Sequence, residues 1–263
     1  MFQAERVPSV LTERLYGKEE KRMKKNTIQK MTLLAMLVAL GVVISPILRV
    51  EGMCPMAHFI NIVCSVLLGP WYSLLCAVLI GILRMSFMGI PPLALTGAVF
   101  GAFLSGVFYR ISKGRMIYAV LGEVIGTGLI GAVVSYPVMA GLMGRTGLTW
   151  LFYVPSFICG TLIGGSVAFL FLKYLNQAKL LAKIQNSLGS PVTEQPENSA
   201  ADSIGIAVIG ILVFVAVYVI MTQFLEMTGE VTIGVPAAAF LLVELVAFVY
   251  FQSARGKKKE GKA

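Results

Sequence analysis

Charge is what this sequence has least of. Asp, Glu, Lys and Arg make up 13% of its 263 residues, about half the share found in soluble domains, so an ordinary water-soluble globule is excluded. Histidine occurs once. The four cysteines (Cys54, Cys64, Cys76, Cys159) sit singly in or beside apolar segments, with no paired spacing. That pattern indicates neither a disulfide framework nor a zinc site, and no metal or other cofactor is expected. Signatures of catalysis are missing as well. The sequence has no H-E-x-x-H, no G-x-S-x-G elbow and no pair of intramembrane glutamates followed by Arg. It also lacks the phosphate loop G-x-x-x-x-G-K-[ST], so the chain does not hydrolyse ATP by that route. A binding or transport protein is expected, not an enzyme. The net charge of +9 would suit nucleic acid, but the basic residues flank the apolar runs as topology signals do. No nucleic-acid partner is expected.

What is present is apolar sequence in long runs. Hydrophobic residues make up 57% and the mean hydropathy is +0.83. Several runs approach the roughly 20 residues that cross a bilayer as a helix. They do not alternate apolar with polar, as barrel strands would. The expectation is an all-α polytopic membrane protein whose partner is the lipid bilayer. Residues 1–26 read as a polar N-terminal segment, in which Met23 is an alternative translation start. No short apolar stretch with a small-x-small cleavage site follows, so the first helix reads as uncleaved. Residues 27–176 read as a six-helix membrane domain, with helices over 27–48, 55–68, 71–87, 93–108, 116–142 and 148–175. The second is short for a full span, which favours a tilted or re-entrant element. Pro137 is expected to kink the fifth. Residues 177–202 combine an amphipathic stretch at 178–188 with a polar linker. Residues 203–252 form a C-terminal transmembrane hairpin (204–225 and 231–250), and 253–263 a basic tail.

Of the 22 Lys and Arg residues, all but Arg49, Arg84 and Arg145 fall on one side if the chain makes eight crossings. The positive-inside rule then predicts cytoplasmic N- and C-termini. This topology gathers polar and aromatic side chains near the outer ends of the helices. His58 and Asn61 share a face at i, i+3. Arg84, Thr96, Tyr136, Trp150, Tyr153 and Ser156 lie at similar depth. Aromatic walls with a few hydrogen-bonding groups are the lining of a small-molecule pocket. Each residue has a plainer reading. Trp150 suits an interfacial anchor, Arg84 can snorkel or pair with Glu51, and His58 and Asn61 can be satisfied within a hairpin. Glu123 lies about 12 Å into its helix, a depth at which a carboxylate is costly. It is either functional or protonated. Glu244 is intramembrane too, but lies in the appended hairpin. Gly97-x-x-x-Gly101-x-x-x-Ser105, Gly122-x-x-x-Gly126 and Gly160-x-x-x-Gly164 put small residues on one face of helices four, five and six, predicting a tight bundle. Ala35-x-x-x-Ala39 on helix one needs a partner as well.

Helix one with Ala35-x-x-x-Ala39, then PMAHFIN (55–61), LLGPWY (67–72), ILR (82–84) and GEVIGTGLIGAVVSYPV (122–138) resemble the ThiW family. These are substrate-binding S components of energy-coupling factor (ECF) vitamin transporters. The resemblance covers residues 27–176, the size of a whole S component, and leaves the C-terminal hairpin outside it. It implies a six-helix protein in the plasma membrane that captures a vitamin precursor from outside, for ThiW the thiazole alcohol hydroxyethylthiazole. It implies partners: a transmembrane coupling protein, met by the small-residue face at Ala35 and Ala39, and two ABC-type ATPase subunits. Substrate-binding residues are then expected among His58, Asn61, Arg84, Thr96, Glu123, Tyr136, Trp150 and Tyr153. An S component for another vitamin or precursor (the pyrimidine moiety, riboflavin, biotin) fits the same residues. A stand-alone secondary carrier is the reading from another class, although no convincing inverted repeat is visible.

Overall fold

Hydrocarbon offers no hydrogen-bond partner to a peptide group, so chain of this composition closes its backbone bonds within helices. The computed structural model, which describes residues 9–47, 53–191 and 200–260, is built of helices throughout the apolar sequence. In chain order these are α1 (Ser9–Ile44), α2 (Pro55–Leu68), α3 (Pro70–Met88), α4 (Leu93–Ile111), α5 (Met116–Leu142), α6 (Val154–Gln177), α7 (Leu180–Ser187), α8 (Ala200–Val219) and α9 (Val231–Glu260). Seven are long and apolar enough to cross a membrane, with α1 contributing Arg22–Ile44. Large apolar side chains such as Met36, Val43, Leu170, Leu241 and Phe248 stand exposed, as a lipid-facing surface requires. The protein is an all-α polytopic membrane protein.

Proline sets several boundaries. The residue before a proline is disfavoured in helical conformation, and α1 ends at Ile44, two residues before Pro46. Its last turn is tied off by Ser45 Oγ, which donates to Gly41 O. Pro55 and Pro70 occupy the first turns of α2 and α3, where the missing amide costs nothing. Pro155 likewise opens α6. The expected start of that helix at residue 148 is therefore six residues early: residues 150–153 form turns, and Trp150 and Tyr153 precede the helix. Between α2 and α3 lies one residue, Gly69, with φ +94°. A side chain there would be strained and would also strike the guanidinium of Arg110.

The short helix α2 is the hub. It packs against α1, α3, α4, α5, α6 and α7, and nearly all of its residues are buried. At 1.5 Å per residue its 14 residues extend only about 21 Å, and protein rather than lipid surrounds it. Glycines let α4 and α5 close on each other. A Cβ on Gly126 would lie 2.6 Å from the Cα of Gly101, so the two backbones meet with no room for any side chain. α5 widens into a π-helical stretch over Val124–Gly131, and Pro137 lies inside the helix beyond it. Three glycines in that stretch make the wide turn cheap, and such segments recur at functional sites.

The hairpin α8–α9 packs on α5 and α6 through α8, while α1 packs on α2 and α3. Arg115 Nη1 donates to Asp202 Oδ2 at 2.9 Å and Tyr118 Oη to Ala201 O at 2.8 Å, fixing the start of α8. A widened turn over Ile220–Phe224 ends it. Glu244 of α9 directs its carboxylate at the notch left by Gly210 on α8. The amphipathic α7 tucks Leu181 and Gln185 inward, and Gln185 Nε2 donates to Val66 O at 3.1 Å. The Arg49-Glu51-Gly52 loop, and with it the Glu51 pairing considered for Arg84, lies outside the described residues. So do residues 192–199 of the polar linker, residues 1–8 and the last three residues of the tail.

Candidate functional site

One end of the bundle encloses a cavity of about 500 Å³, within the size range of small-ligand sites. It lies where α2 begins, α3 ends and α5 ends, at the end opposite the Gly69 turn. Ala57 and His58 of α2, Arg84 of α3, Gly97 and Ala98 of α4, Thr127 and Met139 of α5 and Phe157 of α6 line it. Met53, Cys54, Pro91 and Arg145 contribute from the connecting loops.

Its polar floor is built around Glu123, which is wholly buried. His58 Nδ1 lies 2.9 Å from Glu123 Oε1, Asn61 Nδ2 donates to the same oxygen at 3.0 Å and Thr127 Oγ1 at 3.2 Å. The amide and the hydroxyl reach Oε1 as donors, so Oε1 is an acceptor. With Glu123 ionised, Oε1 accepts from His58 Nδ1 as well, and Nε2 is the ring nitrogen outside this set. Oε2 of Glu123 is buried with no hydrogen-bond partner. A carboxylate at this depth persists only when donors converge on it, and here three do. Local sequence explains the convergence. His58 and Asn61 are one turn apart on α2, Glu123 and Thr127 one turn apart on α5, and Ser73 Oγ holds the Asn61 carbonyl at 2.8 Å. Gly101 faces this cluster from α4: a Cβ there would lie 2.8 Å from the Glu123 carboxyl carbon and would collide with the Thr127 hydroxyl. Gly164 plays the matching part on α6, where a Cβ would come within 3.0 Å of His58 Cβ.

The expected site residues divide into three groups. His58 and Arg84 line the cavity. Asn61 and Glu123 form the buried layer behind His58. Thr96, Tyr136, Trp150 and Tyr153 are not among the lining residues. Thr96 Oγ1 lies 2.7 Å from Ser135 Oγ and joins α4 to α5. Tyr136 and Trp150 pack on each other with ring centroids 4.6 Å apart, and Trp150 is 58% exposed. Tyr153 is buried against Phe152 and Phe157, one layer behind the wall. Ser156 donates to Tyr153 O at 3.1 Å and secures the first turn of α6. Sequence reading missed Thr127, Met139, Arg145 and Phe157. The i, i+4 spacing of Glu123 and Thr127 was available as a signal; the reach of the 143–153 loop over the cavity was not. Ala35 and Ala39 lie elsewhere. They are exposed and line a shallow apolar groove between α1 and α3, with Met31, Val38, Leu79 and Leu83.

A helical membrane bundle with a ligand-sized cavity at one end, floored by a buried hydrogen-bonded carboxylate, is the architecture of a small-molecule membrane carrier or receptor. Residues 31–178 match the family described as Thiamine-precursor transporter protein (ThiW). The chain belongs to the ThiW family, and its function is thiamine-precursor transport. Neither a curated protein nor a solved structure matches it.

Proposed function

We propose that this protein is the substrate-binding S component of an ECF-type importer for hydroxyethylthiazole, a binding subunit rather than an enzyme. The observation that carries the reading is the cavity beside the His58–Glu123 network. Its volume leaves ample room for a ligand of one ring and a short arm. Phe157 and Met139 offer apolar surface to the ring. The Nε2 of His58 and the Thr127 hydroxyl offer hydrogen bonds, while Glu123 and Asn61 hold them in place. The mouth faces the outside of the plasma membrane. Arg110, Lys113, Arg115, Lys179 and Lys183 belong to the Gly69 end, and the positive-inside rule makes that end cytoplasmic, with both chain termini.

Transport is driven by two partner ATPases through a transmembrane coupling protein. The groove at Ala35 and Ala39 supports this, because exposed small residues four apart let a second helix approach closely. The α8–α9 hairpin packs on α5 and α6, so it leaves that groove open. It serves as an accessory pair outside the binding unit.

The deciding experiment is titration of the purified chain with hydroxyethylthiazole, followed by uptake in cells with and without the coupling module. Tight binding with module-dependent uptake is expected. Uptake that follows a sodium or proton gradient and ignores the module would instead make the protein a secondary carrier.

A further inference from the structure

The cavity carries a charge that a neutral alcohol does not engage. Arg84 leaves the last turns of α3, lines the cavity and is only 4% exposed. Its Nε is buried without a hydrogen-bond partner, and among the described residues it makes no ion pair. Arg145 lines the same space, and no Asp or Glu is among the lining residues. Glu123 is the carboxylate beneath, but it stands behind the lining and its Oε1 is engaged by His58, Asn61 and Thr127. A guanidinium shielded from water and without a counter-charge among the described residues is costly to keep in a membrane protein. An incoming oxyanion removes that cost with charge-assisted, fork-shaped hydrogen bonds.

We infer that Arg84 forms an anion subsite, and that the preferred ligand is a thiazole whose side arm ends in an oxyanion, a phosphate monoester or a carboxylate. This rests on the proposed thiazole site and narrows its substrate class. The apolar wall at Phe157 and Met139 takes the ring, and Arg84 takes the charged end of the arm. A hydroxyl in the same position leaves the cation uncompensated.

The test uses the full-length protein in detergent or nanodiscs and four probes: hydroxyethylthiazole, its phosphate monoester, the analogue with the arm oxidised to a carboxylate, and inorganic phosphate. At least one thiazole anion is expected to bind about tenfold or more tightly than the alcohol, the scale of a charge-assisted hydrogen bond. Arg84→Gln removes that preference, so that neither anion binds more tightly than the alcohol; Arg84→Lys keeps part of it. An alcohol that binds as tightly as both anions overturns the subsite and leaves the thiazole reading intact. A preference that survives Arg84→Gln overturns the assignment to Arg84. If no thiazole binds but inorganic phosphate does, in an Arg84-dependent way, the thiazole reading fails and the anion subsite stands. Should Arg84→Gln not fold, the ordering of the ligands on the unaltered protein still decides whether the cavity selects an anion.

Discussion

His58 Nδ1 and Glu123 Oε1 lie 2.9 Å apart across the α2–α5 contact, although 65 residues separate them in the chain. The pair joins the central helix to the helix with the widened turn, directly beneath the cavity. It pairs two residues that are each expensive in a membrane, and it places the remaining histidine nitrogen beside the cavity.

Removing the acceptor should therefore cost more than changing its charge. Glu123→Ala takes from His58, Asn61 and Thr127 the acceptor they share, leaving Asn61 only its long contact to Ala98 O at 3.5 Å, a loss of about 3–5 kcal/mol. Glu123→Gln keeps a carbonyl oxygen for the same donors and loses about 1 kcal/mol. Thermal unfolding in detergent, followed by size-exclusion chromatography, should rank unaltered protein, Gln and Ala in that order. Equal melting of the two variants would show that the donors do not depend on this oxygen.

The helices of this site were legible in the sequence, and their meeting points were only partly so. Hydropathy marks every long span, and the glycine spacings of α4, α5 and α6 correctly announce close packing. His58, Asn61 and Glu123 stand out because polar residues are rare in such runs. Their convergence on one oxygen depends on how α2 threads between α5 and α6, which no local spacing encodes. A helix beginning at residue 148 would hold Pro155 in its interior, whereas proline is best tolerated in a first turn, and that is where α6 begins. The aromatic residues drawn to the site by depth alone, Tyr136, Trp150 and Tyr153, share its level in the membrane but not its walls. Depth follows from residue count along a helix; direction around the helix depends on its neighbours.

Gly101 offers a steric test of the same cluster. Its hydrogen atoms face the Glu123 carboxyl and the Thr127 hydroxyl, so Gly101→Ala forces α4 away from α5. A loss of about 1–3 kcal/mol is expected, together with weaker thiazole binding as the floor is displaced. Gly141→Ala is the control. It lies near the exposed end of α5 with nothing within 4 Å of the added carbon, and should be neutral or stabilising by about 0.5–1 kcal/mol. Comparable losses at both positions would mean that helix propensity, not the close approach, sets the effect.

The proposed coupling face on α1 can be tested separately from ligand capture. Ala39→Trp fills the space bordered by Leu79 and Leu83, in a groove that shares no lining residue with the cavity. Thiazole affinity of the purified protein should stay within about twofold of the unaltered chain, since no contact near the site changes. Uptake in cells carrying the coupling module should fall at least tenfold, about 1.4 kcal/mol of docking free energy. Normal uptake by the Trp variant would remove this face from the coupling interface.

The C-terminal hairpin gives the converse case. Its ion pair with the bundle, Arg115 to Asp202 at 2.9 Å, lies at the start of α5, whereas the cavity is reached by Met139 and Arg145 near and beyond its other end. The two side chains are 17% and 12% exposed, and partial solvation holds such a pair to about 1 kcal/mol or less. A double-mutant cycle with Arg115→Ala and Asp202→Asn, read by thermal unfolding, should return a coupling energy of that size. Thiazole affinity should not move, because the layer that floors the site contacts neither residue. A tenfold loss of affinity in either variant would show that the hairpin acts on the binding site through α5, and the hairpin would then belong to the transport unit rather than stand beside it.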